Sequence, residues 1–489
     1  MNSSSAGSSD QSPNSPVRTT RRAFNCKVAL GAFAAQYAAT FLPASAFGRL
    51  ERPALAGIGA GGKGRTDIEQ SKKAGFDIAA LVDIVDATKL GEISERRLRS
   101  MAEVRKSFPK AAFYHDYREM LADLGDRIDA VTVSTPDHHH FHASALAMKA
   151  GKHVYCQKPL THSIWEARKL TELAEQTGVK TQMGNQAHAN NVMRECVELV
   201  RSGVIGPVKE IHAWTNRPIW PQGFSKPPQP TEVPRGIDWK QWIGPAPFVT
   251  YSPKIAPFSW RGWWDYGTGA LGDMACHIMD MGYWAMGLPQ PLAVKATQEG
   301  ATRLSPPINS KIEWTFGPGP HSAQDGFRYF WYDGYIDAEF DRESWSLKKN
   351  GDEYNHPGSD VLGSKSFKDF GSVLIGEHGR LFFHRSKGWK VEHDSGQTEF
   401  KTPERTLPRA NGDSYGEWLA AINGEISESE SHFGQSGPLT ETVLLGVLAQ
   451  RFPNATLKWN ADEMQVEGRP DLQSYIRRDY ADGWQIDIT

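Results

Sequence analysis

Short apolar runs alternate with helical patterns along much of the chain's first half. Pro53 to Ile58, Ile78 to Val82, Ala130 to Ser134, His153 to Cys156 and Lys180 to Met183 read as strands. Helical stretches fill the gaps at Lys63 to Ala74, Ala87 to Ser107, His139 to Ala150 and Ile164 to Thr177. Strands alternating with helices predict a parallel sheet with right-handed crossovers. The second half is patterned differently. Val208 to Thr215 alternates apolar and polar, as a half-buried strand does. Lys311 to Phe316, Tyr335 to Phe340 and Gly379 to Phe383 read as further strands, Leu271 to Met286 and Thr440 to Arg451 as helices. The predicted fold is α/β: a Rossmann dinucleotide-binding domain over 50–184 and a C-terminal α+β domain over 185–489. The aromatic, charged tail from Ser474 to Trp484 is expected to pack back on the protein.

Between Arg217 and Trp260 lie ten prolines together with Trp220, Trp239, Trp242 and Trp260; Trp263 and Trp264 follow. A loop this long is usually functional or disordered, and its tryptophans argue against disorder. Flat apolar rings suit the C–H faces of a sugar, so Trp263 is a candidate substrate contact, while Tyr266, with Arg261 and Asp265, is available for hydroxyls. Packing of the loop onto the domain is the alternative role for the tryptophans.

The start of the chain changes the picture of where the protein works. Thr20-Arg21-Arg22-Ala23-Phe24 precedes an apolar run from Val28 to Leu42, and Ala44-Ser45-Ala46 closes it. A basic segment, an apolar run and a small-residue site are the order of a secretory signal, and the paired arginines point to the twin-arginine route. Residues 1–46 are therefore expected to be removed, placing the mature protein in the periplasm or otherwise outside the cytoplasm, with no membrane span. The run is short for the roughly 20 residues a bilayer needs. The 489 residues carry 55 basic against 57 acidic side chains, which excludes the basic footprint of a nucleic-acid binder. Of four cysteines, Cys26 leaves with the signal. Cys156, Cys196 and Cys276 form no C-x-x-C pair, and their odd number argues against a disulfide framework.

Candidate chemistry begins at Gly57-Ile58-Gly59-Ala60-Gly61-Gly62, directly after the first strand and at the start of a helix. Gly57 permits a tight turn, Gly59 lets backbone approach a pyrophosphate at the helix N-terminus, and Gly62 is expected to allow close helix–strand packing. Asp83, at the end of the next strand, can accept from ribose hydroxyls. Its charge would repel a 2′-phosphate, favouring NAD. Lys63 and Arg65 keep NADP as the alternative. Lys158 stands at the C-terminal end of a strand, where open α/β sheets bind ligands, and Pro159 holds it out of helix. Asp273 and His277 are four apart in a helical run, hence on one face. Asn185 and Gln186, after the last Rossmann strand, are candidate polar contacts to substrate or nicotinamide. The histidines at 138, 139, 140 and 142 have no partner at usual ligand spacing, so no metal site is expected.

Taken in order, these segments resemble the Gfo/Idh/MocA family, named for glucose-fructose oxidoreductase and inositol dehydrogenase. The likeness covers nearly all of the mature chain. Phe113 to Leu121 resembles the family's strand and helix ahead of the fourth strand. Thr135-Pro136-Asp137-His138-His139-His140 resembles its Thr-Pro-Asn/Asp segment near the nicotinamide half, making Thr135, Pro136 and His140 cofactor contacts. Gln157-Lys158-Pro159 stands where the family has Glu-Lys-Pro, which implies Gln157 and Lys158 as further cofactor contacts, and the Lys-Pro bond there is often cis. The Gln leaves Lys158 without an adjacent carboxylate. Gly272 to His277 resembles its Asp-x-x-x-His helix. The resemblance implies an oxidoreductase on a sugar or polyol hydroxyl, a large open, mostly antiparallel C-terminal sheet, and a homodimer or homotetramer. It implies His277 as general base, Lys158 as hydrogen-bond donor to the reacting oxygen, and Asp273 as orienting group. Export adds a constraint, because no soluble nicotinamide pool is expected outside the cytoplasm. The cofactor is then expected to stay bound and be recycled. Alternatives are a redox-neutral glycosidase or lyase working by transient oxidation and elimination, and a non-catalytic carbohydrate-binding protein.

Overall fold

A computed structural model describes residues 52–488 except 87, 90–95, 364–369 and 402, without the side chains of 96–99. The expected export segment, residues 1–46, lies outside the described residues, as does most of the first turns of the helix expected from Ala87. Six strands form one parallel sheet: β1 (Ala54–Ile58), β2 (Asp77–Val82), β3 (Ala112–Tyr114), β4 (Ala130–Val133), β5 (His153–Cys156) and β6 (Thr181–Met183). Their order is β3-β2-β1-β4-β5-β6. The order reverses between β1 and β4, and open α/β sheets bind ligands outside the strand C-termini at such a point.

The crossovers are α1 (Lys63–Ala74), α2 (Arg96–Ser107), α3 (Tyr117–Leu124), α4 (Asp137–Lys149) and α5 (Ile164–Thr177). Local sequence sets their ends. A capping box of Ser163 and Glu166 opens α5, and Gly178 in the left-handed region closes it. Helix α4 is buried nearly all round, because the second domain and the chain's tail cover the face that a surface helix leaves to solvent. Arg478 donates to Glu166 (2.7 Å) and to the carbonyl of His138 (2.6 Å), and the Arg118 guanidinium lies 4.0 Å over the Trp484 ring. The tail thus packs back as its composition suggests.

After α6 (Asn191–Arg201) the chain builds a nine-stranded sheet. Its strands are β7 (Val208–Thr215), β8 (Pro291–Glu299), β9 (Asn309–Phe316), β10 (Phe327–Gly334), β13 (Phe370–Gly376), β14 (Gly379–His384), β15 (Gly388–His393), β16 (Thr456–Asn460) and β17 (Gln465–Val466). The order is β15-β14-β13-β7-β10-β9-β8-β16-β17, and only the β7–β10 pairing is parallel. Strands β11 (Ala338–Asp341) and β12 (Ser346–Lys349) form a separate hairpin. Two expected elements differ. Tyr335 to Phe340 is not one strand, because Asp337 takes a left-handed φ of 56° between β10 and β11. The helical run from Leu271 to Met286 divides into α7 (Gly269–Ile278) and α8 (Asp280–Ala285).

Helix α7 and the long α10 (Phe433–Arg451) lie under the nine-stranded sheet, where Trp314 of β9 donates to the Thr442 carbonyl of α10 (2.9 Å). The outer face of β7, β9 and β10 carries the pairs Arg328–Glu210 and Arg328–Glu313. Helix α9 (Ser414–Ile422) returns to the first domain. Tyr415 stacks on Tyr155 at 4.7 Å and Trp418 on Phe76 at 4.9 Å. Among the described residues no helix is long and apolar enough to cross a membrane.

Candidate active site

The turn after β1 shows why glycine is needed there. Gly59 has φ +76°, and a Cβ on it would stand 2.8 Å from backbone atoms of Ser134 and Thr135. The close approach expected of Gly62 belongs instead to Gly57 and Gly64. A Cβ on Gly57 would meet Ile68 at 2.4 Å, and one on Gly64 would meet the Gly59 carbonyl at 1.8 Å. Around Gly62 there is open space, and its φ of +54° is what calls for glycine. Asp83 accepts from the amides of Gly61 (2.7 Å) and Val85 (3.0 Å). Burial raises its pKa, and those amides oppose the rise.

The turn opens into a cleft of about 1280 Å³ that Asp83, Lys158, Asp273 and His277 all line. Lys158 is part-buried and bound on both sides of one residue: its Nζ donates to Oδ1 of Asp273 (2.7 Å) and to the Asp273 carbonyl (2.7 Å). Arg261 Nε stands 3.4 Å from the same carboxylate, and its Nη1 donates to both oxygens of Asp137 at 2.9 Å. Thr268 also donates to Asp137, which is fully buried. Two cations and two carboxylates therefore alternate from the cleft wall at Lys158, Asp273 and Arg261 inward to Asp137. Burial would raise the Asp273 carboxyl, but Lys158 and Arg261 hold it well below the usual range. Asp273 thus orients the lysine, with no hydrogen bond to His277. The His277 imidazole is pushed well below its ordinary pKa, by burial first and by Lys158 second, so it is neutral across the neutral range. Among the described residues its buried Nδ1 has no partner. The Lys158–Pro159 bond is cis.

Other expected contacts separate into two groups. Thr135, Pro136, His140, Gln157 and Gln186 line the cleft. Among the described residues the buried Thr135 Oγ1 has no partner. The two ring nitrogens of His140 lie 2.8 and 2.9 Å from the carbonyls of Pro159 and Thr135. Asn185, Trp263 and Tyr266 lie away from it. Asn185 donates to Asp280 (2.9 Å) and accepts from Ser431 (2.6 Å). Trp263 and Tyr266 are packed in an aromatic core with Phe224, Trp239 and Trp242. Both follow the Ser259–Gly262 turn and are buried. Asp265 faces a second, smaller cavity.

The proline-rich segment supplies the aromatic wall that Trp263 and Tyr266 do not. Asp86 N–H donates to Gly236 (2.8 Å) and Asp238 N–H to Ile84 (2.9 Å), so the segment pairs with the chain just after Asp83. Gln241 donates to Asp116 (2.7 Å), and His138 and His139 each approach the Trp242 carbonyl, at 2.9 and 3.0 Å. Trp239, Trp242, Tyr251 and Trp260 thereby line the cleft. The Arg261 guanidinium lies 4.3 Å over the Trp260 ring. Composition gave the signal for a functional loop, while the choice of tryptophans depended on how the loop docks. Each of the four clustered histidines approaches a backbone carbonyl, and among the described residues no group of three or more His, Cys, Asp or Glu could hold a metal. Cys156, Cys196 and Cys276 are buried and free.

Comparisons with known proteins agree with this layout. Residues 54–185 match the family model described as oxidoreductase family, NAD-binding Rossmann fold, and residues 189–326 match its C-terminal alpha/beta domain. An uncharacterised oxidoreductase of Synechocystis is 26% identical over 389 residues, covering 78% of this chain and 90% of that protein. The solved aldose-aldose oxidoreductase of Caulobacter crescentus, complexed with glycerol, superposes with a TM-score of 0.54 at 15% identity, covering 83% of this chain and 99% of that one. A levoglucosan dehydrogenase solved with NADH and L-sorbose gives 0.53 at 14% identity, covering 82% and 98%.

Proposed function

This chain belongs to the Gfo/Idh/MocA family of oxidoreductases, and from that premise we propose that it oxidises or reduces a hydroxyl-bearing carbon of a sugar or polyol. The observation that carries the reading is the placement of Lys158, Asp273 and His277 in the cleft that also holds the glycine turn and Asp83. The residues present fit a dinucleotide. The Gly59 turn packs so closely on the Ser134–Thr135 backbone that no Cβ fits there, and among the described residues Thr135 Oγ1 and His277 Nδ1 are buried donors or acceptors without partners. Bound nicotinamide supplies a hydride acceptor or donor. His277, neutral at working pH, takes the hydroxyl proton at its imidazole. Lys158, held by Asp273, donates to the same oxygen and stabilises developing negative charge.

NAD is favoured over NADP. Among the described side chains, Lys63 and Arg65 near the turn are both engaged: Lys63 pairs with Asp67, and Arg65 pairs with Glu69 (2.9 Å) and with Glu103. Neither is left to neutralise a 2′-phosphate beside Asp83. The proline-rich segment that walls the cleft next to Asp83 supports a cofactor retained between turnovers, as export through the twin-arginine route would require. Turnover of one sugar would then be balanced by reduction of a second.

The test is a panel of sugars, polyols and glycosides offered to the purified mature protein, beside His277→Ala. Turnover lost in the variant supports the assignment, and equal turnover in the variant ends it. Cofactor that survives dialysis and cycles without added nicotinamide supports retention. Release of an aglycone with no net change in nicotinamide absorbance would assign the elimination chemistry instead. A processed N-terminus near residue 46 and a native mass above one chain check export and assembly.

A further inference from the structure

Asp67 sits on α1, fully buried and outside the lining of the cleft, yet it binds four side chains at once, three of them from other segments. Its carboxylate accepts from Ser134 Oγ at the end of β4 (2.7 Å), from Gln157 Nε2 at the end of β5 (2.9 Å), and from Tyr415 Oη on α9 (2.5 Å). Lys63, at the start of its own helix, is the fourth partner. Three of these four, Lys63, Ser134 and Gln157, line the cleft. A carboxylate offers only acceptors. The Gln157 carboxamide must therefore point its Nε2 at Asp67. Among the described residues its Oε1 has no protein partner. The amide also lies flat against Gly184, where a Cβ would stand 2.6 to 2.7 Å from its atoms, so it has little room to settle elsewhere.

We propose that Asp67 is a positioning residue that sets the Gln157 amide with its oxygen, an acceptor, toward the cleft, where it receives an N–H of the nicotinamide carboxamide. The inference rests on the reading that nicotinamide occupies this cleft beside Lys158. It makes the Asp67–Gln157 pair a filter for the carboxamide. A dinucleotide with a carboxylate in place of the carboxamide has no N–H to give and sets its charge against an acceptor.

The test compares affinity for NAD with that for nicotinic acid adenine dinucleotide, by titration of the folded full chain. Wild type is expected to prefer NAD by about tenfold or more, the scale of one buried hydrogen bond lost. In Asp67→Asn the residue at 67 can donate as well as accept, Gln157 can turn over, and the preference should shrink severalfold. Gln157→Glu sets two carboxylates against each other in one buried site and should weaken binding of both dinucleotides. Asp67→Asn with Gln157→Glu rebuilds a donor at 67 and an acceptor facing the cleft, so the preference for NAD should return. A merely structural role for Asp67 would not move this ratio. An unchanged ratio in Asp67→Asn overturns the proposal. So does a double variant no better than Gln157→Glu alone, a comparison that stands even if Asp67→Asn does not fold. Wild type that binds neither dinucleotide would instead remove the cofactor reading itself, and the inference with it.

Discussion

Acid should destabilise this protein well before its carboxylates titrate, because it buries neutral histidines. His139, His153 and His212 are 3–4% exposed, and burial pushes each of them from 6.5 down to about 4. A histidine with a depressed folded pKa stays neutral in the native state while the unfolded chain takes up protons. Stability is then full above the unfolded pKa of about 6.5 and falls as pH drops below it. Between pH 7.5 and 5.5 each of the three loses about 1.3 kcal/mol, and together about 4 kcal/mol. Asp333 opposes this. Burial raises it to about 6, so the native state gains a proton over the same interval, worth about 0.8 kcal/mol. For these four groups the net loss is roughly 3 kcal/mol, a large share of the stability of an ordinary domain; Asp83, Asp265, Glu430 and Glu441, raised by burial, act against it. His138, His142, His162 and His277, all shifted down by burial, add to the loss. Urea unfolding at the two pH values measures the difference. His153 keeps the test away from the cleft: its Nδ1 accepts the Lys180 amide (2.9 Å), a bond an Asn oxygen can supply. His153→Asn should flatten the slope by about 0.7 kcal/mol per pH unit. Equal stability at both pH values, or an unchanged slope in the variant, would refute the argument that these rings are neutral because they are buried.

Three further predictions concern the cleft. Lys158→Met removes the donor to the reacting oxygen, so kcat should fall on the order of 10²- to 10³-fold in steady-state assays, with cofactor affinity nearly kept. The acid limb of kcat/KM should lie well below pH 6.5, because burial and Lys158 keep His277 neutral; a limb at 6.5 in the pH profile would contradict that environment. Gly59→Ala drives a methyl to 2.8 Å from the Ser134 and Thr135 backbone at a left-handed φ, and should abolish NAD retention measured after dialysis.

Local sequence determined a good deal here. The strand and helix alternation before residue 184, the glycine turn with its acid, and the Asp273–His277 face all depend on neighbours within a few turns. Periods of 2 and 3.6 and short spacings report such neighbours directly. Tertiary structure decided what lies far apart in the chain. Asp273 reads from its spacing as a partner for His277, but it holds Lys158, 115 positions away. Trp263 reads as a sugar platform and Tyr266 as a hydroxyl contact, yet docking of the proline-rich segment buries them and turns Trp239, Trp242 and Trp260 to the cleft. Asp67 gives no signal in sequence at all, since its bond to Tyr415 joins residues 348 apart. Side-chain chemistry is written residue by residue, but which side of an element becomes the inside is set by the segments that fold against it, and no local pattern names them.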